Sequence, residues 1–186
     1  MRIISGYLRG RKITQPNNKL TRPLKDLMKE SIFNILQHSN LISFSLEKSK
    51  ILDLFSGVGS FGLECISRGA QNVIFCENYS EAIKILKKNI TNLKCHQKTQ
   101  IITKNIFNIK NLNQVHKKKF EIIFLDPPYK EKKLTNLLDD ILSLKLLKNN
   151  GIIIIHRHKK EEEIYPKKFK ILKIKTYGIS KIIFGN

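Results

Sequence analysis

One stretch of the chain runs from apolar residues directly into a carboxylate, two prolines and an aromatic ring: Phe120-Glu121-Ile122-Ile123-Phe124-Leu125-Asp126-Pro127-Pro128-Tyr129. The apolar and β-branched run is typical of a strand that is buried on both faces, as central parallel strands are. Proline cannot continue a ladder, so the strand must end there. Ligands of open α/β sheets bind at the carboxyl ends of strands, so we expect Asp126 to Tyr129 to hold the group that the protein modifies.

Strand-like and helix-like stretches alternate around this strand from residue 50 onward. The predicted strands are 50–55, 72–77, 100–103, 120–125 and 151–155. Four helices are predicted between them: one follows the first strand and ends near Arg68, and the others are Ser80–Leu93 (with Ser80 as N-cap), Ile106–Val115 and Leu134–Leu147. This alternation predicts an α/β fold, with helices on both faces of a mostly parallel sheet. Residues 169–176 and 179–184 pair around Gly178 as a closing hairpin, which suggests an antiparallel addition at one edge.

The first forty residues are predicted to form a basic extension of this domain. Residues 2–14 alternate loosely between glycines, which predicts a short β-hairpin. Thr21-Arg22-Pro23 is expected to open a helix that ends near residues 38–40, because threonine caps helices and proline suits their first turn. We therefore divide the chain into a hairpin-and-helix extension, residues 1–40, and a main domain, residues 41–186.

Positive charge is the strongest signal in the composition. The chain has 35 Lys and Arg against 15 Asp and Glu, a formal net charge of +20. The simplest partner is nucleic acid, although a bias toward lysine codons in an AT-rich genome is the alternative explanation. Arginine is harder to explain by that bias, and no acidic residue precedes position 26. We predict that Arg2, Arg9, Arg11, Lys12 and Arg22 contact the nucleic acid.

Several other classes of protein are disfavoured. No apolar run approaches the roughly 20 residues that span a bilayer, and the N-terminus lacks the features of a signal peptide. Three cysteines without close spacing predict neither a disulfide framework nor a zinc site. We expect a cytoplasmic monomer that binds no metal and no membrane.

A glycine-rich turn follows the first strand of the main domain, in Asp53-Leu54-Phe55-Ser56-Gly57-Val58-Gly59-Ser60-Phe61-Gly62. Glycines in a G-x-G-x-x-G pattern between a strand and a helix let the backbone approach a ligand closely. Glu77, followed by Asn78, ends the next strand, where an acidic side chain can hold ribose hydroxyls. The pattern predicts a cofactor that contains a nucleoside, and the alternative is a tight strand–helix turn beside a surface glutamate.

The position of Asp53 selects among such cofactors. A carboxylate four residues before the first glycine would oppose a pyrophosphate but suits an ammonium or sulfonium group, so we predict S-adenosylmethionine. The segment Asp126 to Tyr129 agrees, because its carboxylate and the Pro127 carbonyl can accept both hydrogens of an exocyclic amine. The two prolines, Pro127 and Pro128, orient these acceptors before the reaction. Stacking of a base on Tyr129 would add roughly 1–3 kcal/mol.

Taken together, these stretches resemble the bacterial RsmD family of 16S rRNA (guanine-N2)-methyltransferases. The resemblance covers nearly the whole chain and is carried by Arg2-Ile3-Ile4-Ser5-Gly6, Thr21-Arg22-Pro23, the residues 53–64, Ser67-Arg68-Gly69-Ala70 and Asp126-Pro127-Pro128-Tyr129. It implies a Rossmann-like class I S-adenosylmethionine-dependent methyltransferase, with a seven-stranded, mostly parallel sheet and an antiparallel last strand. It also implies small-subunit rRNA, in a partly assembled 30S particle, as the substrate, with guanine 966 as the family's target.

The resemblance also implies roles for single residues, carried over by motif. The residues expected to contact the cofactor are Asp53, Phe55, Gly57, Gly59, Glu77, Asn78 and Asn105. Those expected to position the guanine amine are Asp126, Pro127, Pro128 and Tyr129. The segment His156-Arg157-His158 stands where members often carry an acidic residue, and we expect its histidines at the surface or facing RNA rather than in catalysis.

Two other functions stay open at this point. One is a DNA N6-adenine methyltransferase, because the proline motif is shared with DNA methyltransferases, although the chain is short for a separate target-recognition domain. The other is a non-catalytic RNA-binding assembly protein that retains the fold. The intact sequence from Asp126 to Tyr129 argues against the second alternative.

Overall fold

A single mixed sheet forms the centre of the computed structural model, which describes residues 1–16, 26–108, 115 and 118–186. Its strands are β1 (Lys50–Leu54), β2 (Asn72–Cys76), β3 (Thr99–Ile102), β4 (Phe120–Leu125), β5 (Leu147–His158), β6 (Ile171–Tyr177) and β7 (Ser180–Gly185). Seven strands lie in the order β3-β2-β1-β4-β5-β7-β6. Strand β7 is antiparallel to β5 and β6, and the other neighbours are parallel. The predicted mostly parallel sheet with an antiparallel last strand is confirmed.

The described helices cover both faces of this sheet. They are α1 (Asp26–His38), α2 (Ser60–Ser67), α3 (Ser80–Asn92) and α4 (Leu134–Ser143), with a 3-10 turn at His96–Lys98. Successive strand residues point to opposite faces, so Ile122 and Phe124 join the core beneath α1, α2 and α3, whereas Ile123 and Leu125 join the core beneath α4. Strand β4 is therefore buried on both sides, as its continuous apolar run predicts.

Several predicted boundaries differ from those observed. Strand β5 continues past Ile155 to His158, because it pairs with β7 through that end. Ser80 is the first residue of α3 rather than its N-cap, which is Tyr79. The predicted opening of a helix at Thr21-Arg22-Pro23 and most of the predicted helix at 106–115 lie outside the described residues. Within those described, no helix is long and apolar enough to cross a bilayer.

The N-terminal arm, residues 1–16, is a hairpin-like loop that packs into the main core. Its two sides pair through one isolated β-bridge, Arg2 with Lys12, and through flanking backbone hydrogen bonds such as that from the Ile3 N–H to the Arg11 carbonyl oxygen, so the ladder is shorter than that of the predicted β-hairpin. Ile3 and Ile13 are fully buried in the core cluster that contains α1 and α2. Gly6 has φ of +81°, and a Cβ there would lie 1.8 Å from the Ser67 carbonyl oxygen, so only glycine permits this approach to α2. The arm shares its core with the sheet, and the division at residue 40 stays a prediction.

A buried charge cluster fastens the arm to α1 and α2. The Glu64 carboxylate is fully buried and accepts the backbone N–H groups of Ile4 (2.8 Å) and Ser5 (3.0 Å). The Lys29 ammonium is also fully buried; it donates to the Arg2 carbonyl oxygen at 2.8 Å and lies 3.8 Å from Glu64 Oε2. Removing one member of such a cluster leaves the other charge buried without its partner.

We expect Lys29→Met to lower the free energy of unfolding by about 3 kcal/mol, the low end of the range for breaking a buried ion pair. The low end applies because Arg68 Nε still donates to Glu64 at 2.8 Å. Denaturant unfolding would measure the change, and Lys88→Met on the exposed face of α3 is the control, with an expected effect within about 0.5 kcal/mol. Equal stabilities of the two variants would contradict this account of the arm.

Candidate active site

The loop between β1 and α2 turns its backbone toward an open cavity. Phe55 and Gly57 both have positive φ, 59° and 53°. Apart from its two chain neighbours, no atom of the described residues lies within 4 Å of a Cβ placed on Gly57, so the backbone there is open to a ligand. By contrast, a Cβ on Gly59 would lie 2.5 Å from the Leu86 side chain, so this glycine is needed for packing against α3.

A cavity of about 580 Å³ lies at the carboxyl ends of β1, β2, β4 and β5. Its lining includes nine of the predicted site residues together with His156: Asp53, Phe55, Gly57, Glu77, Asn78, Asp126, Pro127, Pro128 and Tyr129. Gly59 lies behind the loop and Asn105 is exposed after β3, where its side chain accepts the Phe107 N–H at 3.0 Å; neither lines the cavity. The fold thus brings the predicted cofactor-binding and amine-binding residues together in one space.

Asp53 is a buried carboxyl group with one unused oxygen. Its Oδ2 accepts the Gly62 N–H at 3.0 Å, whereas Oδ1 is buried and has no hydrogen-bond partner among the described residues. Burial raises the pKa of Asp53 well above its ordinary value; the Gly62 N–H opposes this, and the negative charges of Asp126 and Glu77 add to it. A cationic donor in the cavity would supply the missing partner and stabilise the carboxylate. The site therefore fits a ligand with an ammonium group.

Glu77 connects the two loops that border the cavity. Its Oε2 accepts the Gly57 N–H at 2.7 Å, and its Oε1 accepts the N–H groups of Asn78 and Tyr79, each at 2.9 Å. A carboxylate offers about four acceptor sites, so capacity remains for a hydroxyl donor. Glu77 thus shapes the loop and can also bind a ribose.

A buried arginine binds the backbone of the turn that follows β4. Arg157, 1% exposed, donates to the carbonyl oxygens of Pro128 (2.8 Å) and Tyr129 (3.0 Å), and its Nε pairs with Glu163. A guanidinium that binds consecutive carbonyls fixes their orientation. The turn therefore has a set geometry before any ligand binds, which is the condition for pre-organised catalysis.

The expectation that the histidines at 156 and 158 lie at the surface is wrong for His156. Its side chain is 4% exposed, and its Nδ1 lies 2.7 Å from Asp126 Oδ1. The Tyr129 ring meets both His156 and His158 edge-on, at centroid distances of 6.1 and 5.1 Å. The signal that could have revealed this contact is the register of β4 and β5. Leu125 pairs with Ile155, so the residues that follow them, Asp126 and His156, lie side by side.

Asn89 links the N-terminal arm to the cofactor-side loop. Its side chain is buried; Oδ1 accepts the Thr14 N–H at 2.8 Å, and Nδ2 donates to the carbonyl oxygens of Thr14 and Val58, both at 3.1 Å. Pro16, two residues further along, lines the cavity. The arm therefore leads directly to the edge of the site.

The arm presents positive charge and an aromatic ring to solvent. Arg2, Arg9, Arg11 and Lys12 are all exposed. Tyr7 is 62% exposed, and the Lys98 ammonium lies 5.5 Å from the centre of its ring. Basic side chains around an accessible aromatic ring are typical of surfaces that bind single-stranded nucleic acid. Arg22 lies outside the described residues.

Comparison with known proteins gives consistent matches along the chain. A family model described as "Conserved hypothetical protein 95" matches residues 1–186. The chain is 36% identical to the "Ribosomal RNA small subunit methyltransferase D" of Haemophilus influenzae, over 96% of this chain and 90% of the relative. It is also 36% identical to the protein of the same name from Buchnera aphidicola subsp. Acyrthosiphon pisum, over 93% of this chain and 86% of the relative.

Solved structures give the same result for the fold. A Haemophilus influenzae protein described as a candidate methylase superposes with a TM-score of 0.76 at 31% identity, covering 99% of this chain and 96% of that chain. The match covers nearly the whole chain, so it includes the arm as well as the sheet.

Proposed function

The chain belongs to the RsmD family of methyltransferases, and on that premise we propose that it is a 16S rRNA (guanine-N2)-methyltransferase. It transfers a methyl group from S-adenosylmethionine to the exocyclic N2 amine of a guanine in small-subunit rRNA, at the family's target position 966. The observation that carries the proposal is that one cavity contains both the Asp53 carboxyl group, whose Oδ1 has no hydrogen-bond partner among the described residues, and the rigid turn from Asp126 to Tyr129.

The cofactor residues fit S-adenosylmethionine. When bound, this cofactor supplies an electrophilic methyl group on a sulfonium. Asp53 Oδ1 is suited to accept a hydrogen bond from its ammonium, and Glu77 retains acceptor capacity for a ribose hydroxyl. Phe55, Gly57 and Asn78 line the space between them. Gly59 packs against α3 and supports the loop, and the predicted contact of Asn105 with the cofactor requires that its side chain turn toward the cavity.

The turn after β4 is suited to activate an aromatic amine. The lone pair of such an amine is delocalised into the ring, and acceptors that grip both hydrogens favour a tetrahedral nitrogen with a localised pair. Asp126 Oδ2 is left for one hydrogen because Oδ1 faces His156. The Pro127 carbonyl can accept the other, since its contact with Arg157 is long, at 3.5 Å. Tyr129 offers a ring for stacking.

The arm is proposed to supply the affinity for rRNA. Its four exposed cations lie on a segment that is fixed to α2 by Glu64 and to the cofactor-side loop by Asn89. RNA held by this segment is therefore held close to the cavity. A base of structured RNA must leave its stack to enter such a site, and binding of the flanking backbone offsets part of that cost. The substrate is proposed to be rRNA in a partly assembled 30S particle.

Mass spectrometry of digested small-subunit rRNA from cells with and without this protein tests the proposal. We expect one N2-methylguanosine to disappear from a single position when the protein is absent. The loss of a methyladenosine instead, or an unchanged modification profile, would contradict the proposed reaction.

The double variant Arg9→Gln/Arg11→Gln is expected to weaken rRNA binding and make it less dependent on salt. Each phosphate contact contributes about 0.7 to the slope of log K against log salt for single strands, so the slope should fall by about 1.4. Binding titrations at several salt concentrations measure it. Lys167→Gln/Lys168→Gln, in the exposed loop between β5 and β6, is the charge-matched control. An equal fall in slope for both variants would show that the arm has no special role.

A further inference from the structure

We propose that His156 is the proton acceptor of the methyl-transfer reaction and forms a catalytic pair with Asp126. The proposal rests on the proposed function, because it assigns the fate of the proton that the amine must lose. It adds a residue that lies outside the proline motif and for which the sequence predicted no catalytic role.

The first observation is the geometry of the pair. His156 Nδ1 lies 2.7 Å from Asp126 Oδ1, a short hydrogen bond to a carboxylate. A neutral imidazole in this position carries its hydrogen on Nδ1, because a carboxylate can only accept. The lone pair is then on Nε2. The carboxylate thus selects the tautomer in which the second ring nitrogen is a base.

The second observation is the state of that second nitrogen. His156 Nε2 is buried and has no hydrogen-bond partner among the described residues. A buried acceptor without a partner destabilises the free protein. The imidazole lines the same cavity as Asp126 and Tyr129, so a ligand in that cavity can supply the missing N–H. The site is therefore complete only when a donor group is bound.

The third observation is the rigidity of the pair. Strand β5 continues through His156, which is paired in register with Ile182 of β7. Arg157 fixes the opposing turn through the carbonyls of Pro128 and Tyr129. Both partners of the pair are thus fixed before substrate binds, and little reorganisation is needed when charge develops.

These features assign the steps of the proton transfer. The lone pair of the guanine N2 nitrogen forms the new N–C bond, and the C–S bond breaks with its electron pair remaining on sulfur. As the N–C bond forms, one of the two N–H protons held by Asp126 and the Pro127 carbonyl leaves that acceptor and passes from the nitrogen to His156 Nε2. The products are a neutral methylamino group, a neutral thioether and an imidazolium, so the positive charge lost from sulfur is found on His156. The Asp126 carboxylate stabilises that charge through its hydrogen bond to Nδ1.

His156→Asn tests this role while keeping the structural contact. The asparagine amide can still donate to Asp126, but it cannot accept a proton. We expect kcat to fall by about 10²-fold, the lower end of the range for a general base, with the KM for RNA and the affinity for cofactor unchanged. His158→Asn is the matched control, because His158 packs on the same ring of Tyr129. It should retain wild-type kcat.

The dependence of kcat on pH separates a base from a positioning residue. Protonated His156 cannot accept a proton, so wild-type kcat should fall at acidic pH, and this acidic limb should disappear in His156→Asn. The other titratable groups that line the cavity are Asp53, Glu77, Tyr79, Asp126 and Tyr129, and His158 packs on the Tyr129 ring. All of them are retained in the variant. Thermal unfolding checks that the variant is folded, and His156→Gln replaces it if it is not.

Three outcomes are decisive. Loss of kcat and of the acidic limb in His156→Asn, with an active His158→Asn, supports the proposal. An unchanged kcat and pH profile in His156→Asn overturns it, while wild-type methylation of the RNA leaves the proposed function intact. Failure of the wild-type protein to methylate any small-subunit RNA overturns the proposed function and, with it, this role for His156.

Discussion

Asp126→Ala is expected to remove methyl transfer to rRNA almost completely while cofactor binding is preserved. The substitution deletes an acceptor for the amine and also leaves His156 Nδ1 without its partner. Loss of one pre-organised group of this kind costs about 10²–10³-fold in kcat, and loss of the pair that it forms should place this variant at the high end of that range. Single-turnover transfer of a labelled methyl group to immature small subunits measures the effect.

Two comparisons make this prediction specific. Asp139→Ala removes an exposed carboxylate on α4 and should retain wild-type activity. Cofactor affinity of Asp126→Ala, measured by calorimetry, should stay close to that of the wild type, because Asp53 and Glu77 hold the proposed cofactor side. Methyl transfer by Asp126→Ala at more than about a tenth of the wild-type rate would show that the turn after β4 is not the site of amine activation.

Asp53→Asn is expected to weaken binding of S-adenosylmethionine by about 10²-fold. A hydrogen bond to a charged partner contributes about 1.5–3 kcal/mol, and the asparagine retains the contact with the Gly62 N–H but not the negative charge. Burial raises the pKa of Asp53, so the wild-type carboxyl must lose its proton to pair with the cofactor's ammonium. Wild-type affinity should therefore increase as pH rises through that raised pKa, relative to the variant.

The same shift predicts an opposite trend for stability without cofactor. A carboxyl whose pKa is raised in the folded state contributes stability that is fully present below its unfolded pKa and is lost as pH rises through the folded value. The free protein should lose this stability with rising pH, and Asp53→Asn should not. Calorimetric titrations and denaturant unfolding at a series of pH values measure both trends. Parallel pH profiles for the two proteins would exclude Asp53 as the group that pairs with the cofactor.

The order of strand-like and helix-like stretches was sufficient to predict the sheet, because buried parallel strands require continuous apolar runs. The 120–125 run coincides with β4, and the following prolines mark its end correctly. The placement of Asp53, Glu77 and Asp126 in one cavity followed from the same rule, since the carboxyl ends of parallel strands meet at one edge. These features could be predicted because they follow from local hydrophobic patterns and from the geometry of parallel sheets.

The burial of several polar side chains could not be predicted, because it depends on long-range contacts that leave no local sequence pattern. Strand β5 reaches His158 only because β7 pairs with it, so His156 and Arg157 look like a basic surface segment in the sequence. Glu64 looks like an ordinary residue of an amphipathic helix, yet it accepts two N–H groups from the arm across about sixty positions of sequence. Arg157 and Glu64 are buried because distant backbone groups satisfy them, and His156 is buried where its Nδ1 meets the Asp126 carboxylate.

The most direct test of the central claim is transfer of a labelled methyl group by the purified protein to immature small subunits that lack the modification, followed by mapping of the labelled nucleoside. The account predicts label on N2 of one guanine in the small-subunit rRNA, lost in Asp126→Ala and retained in Asp139→Ala. Label on adenine, preferred labelling of duplex DNA, or no label despite tight binding of S-adenosylmethionine would contradict it.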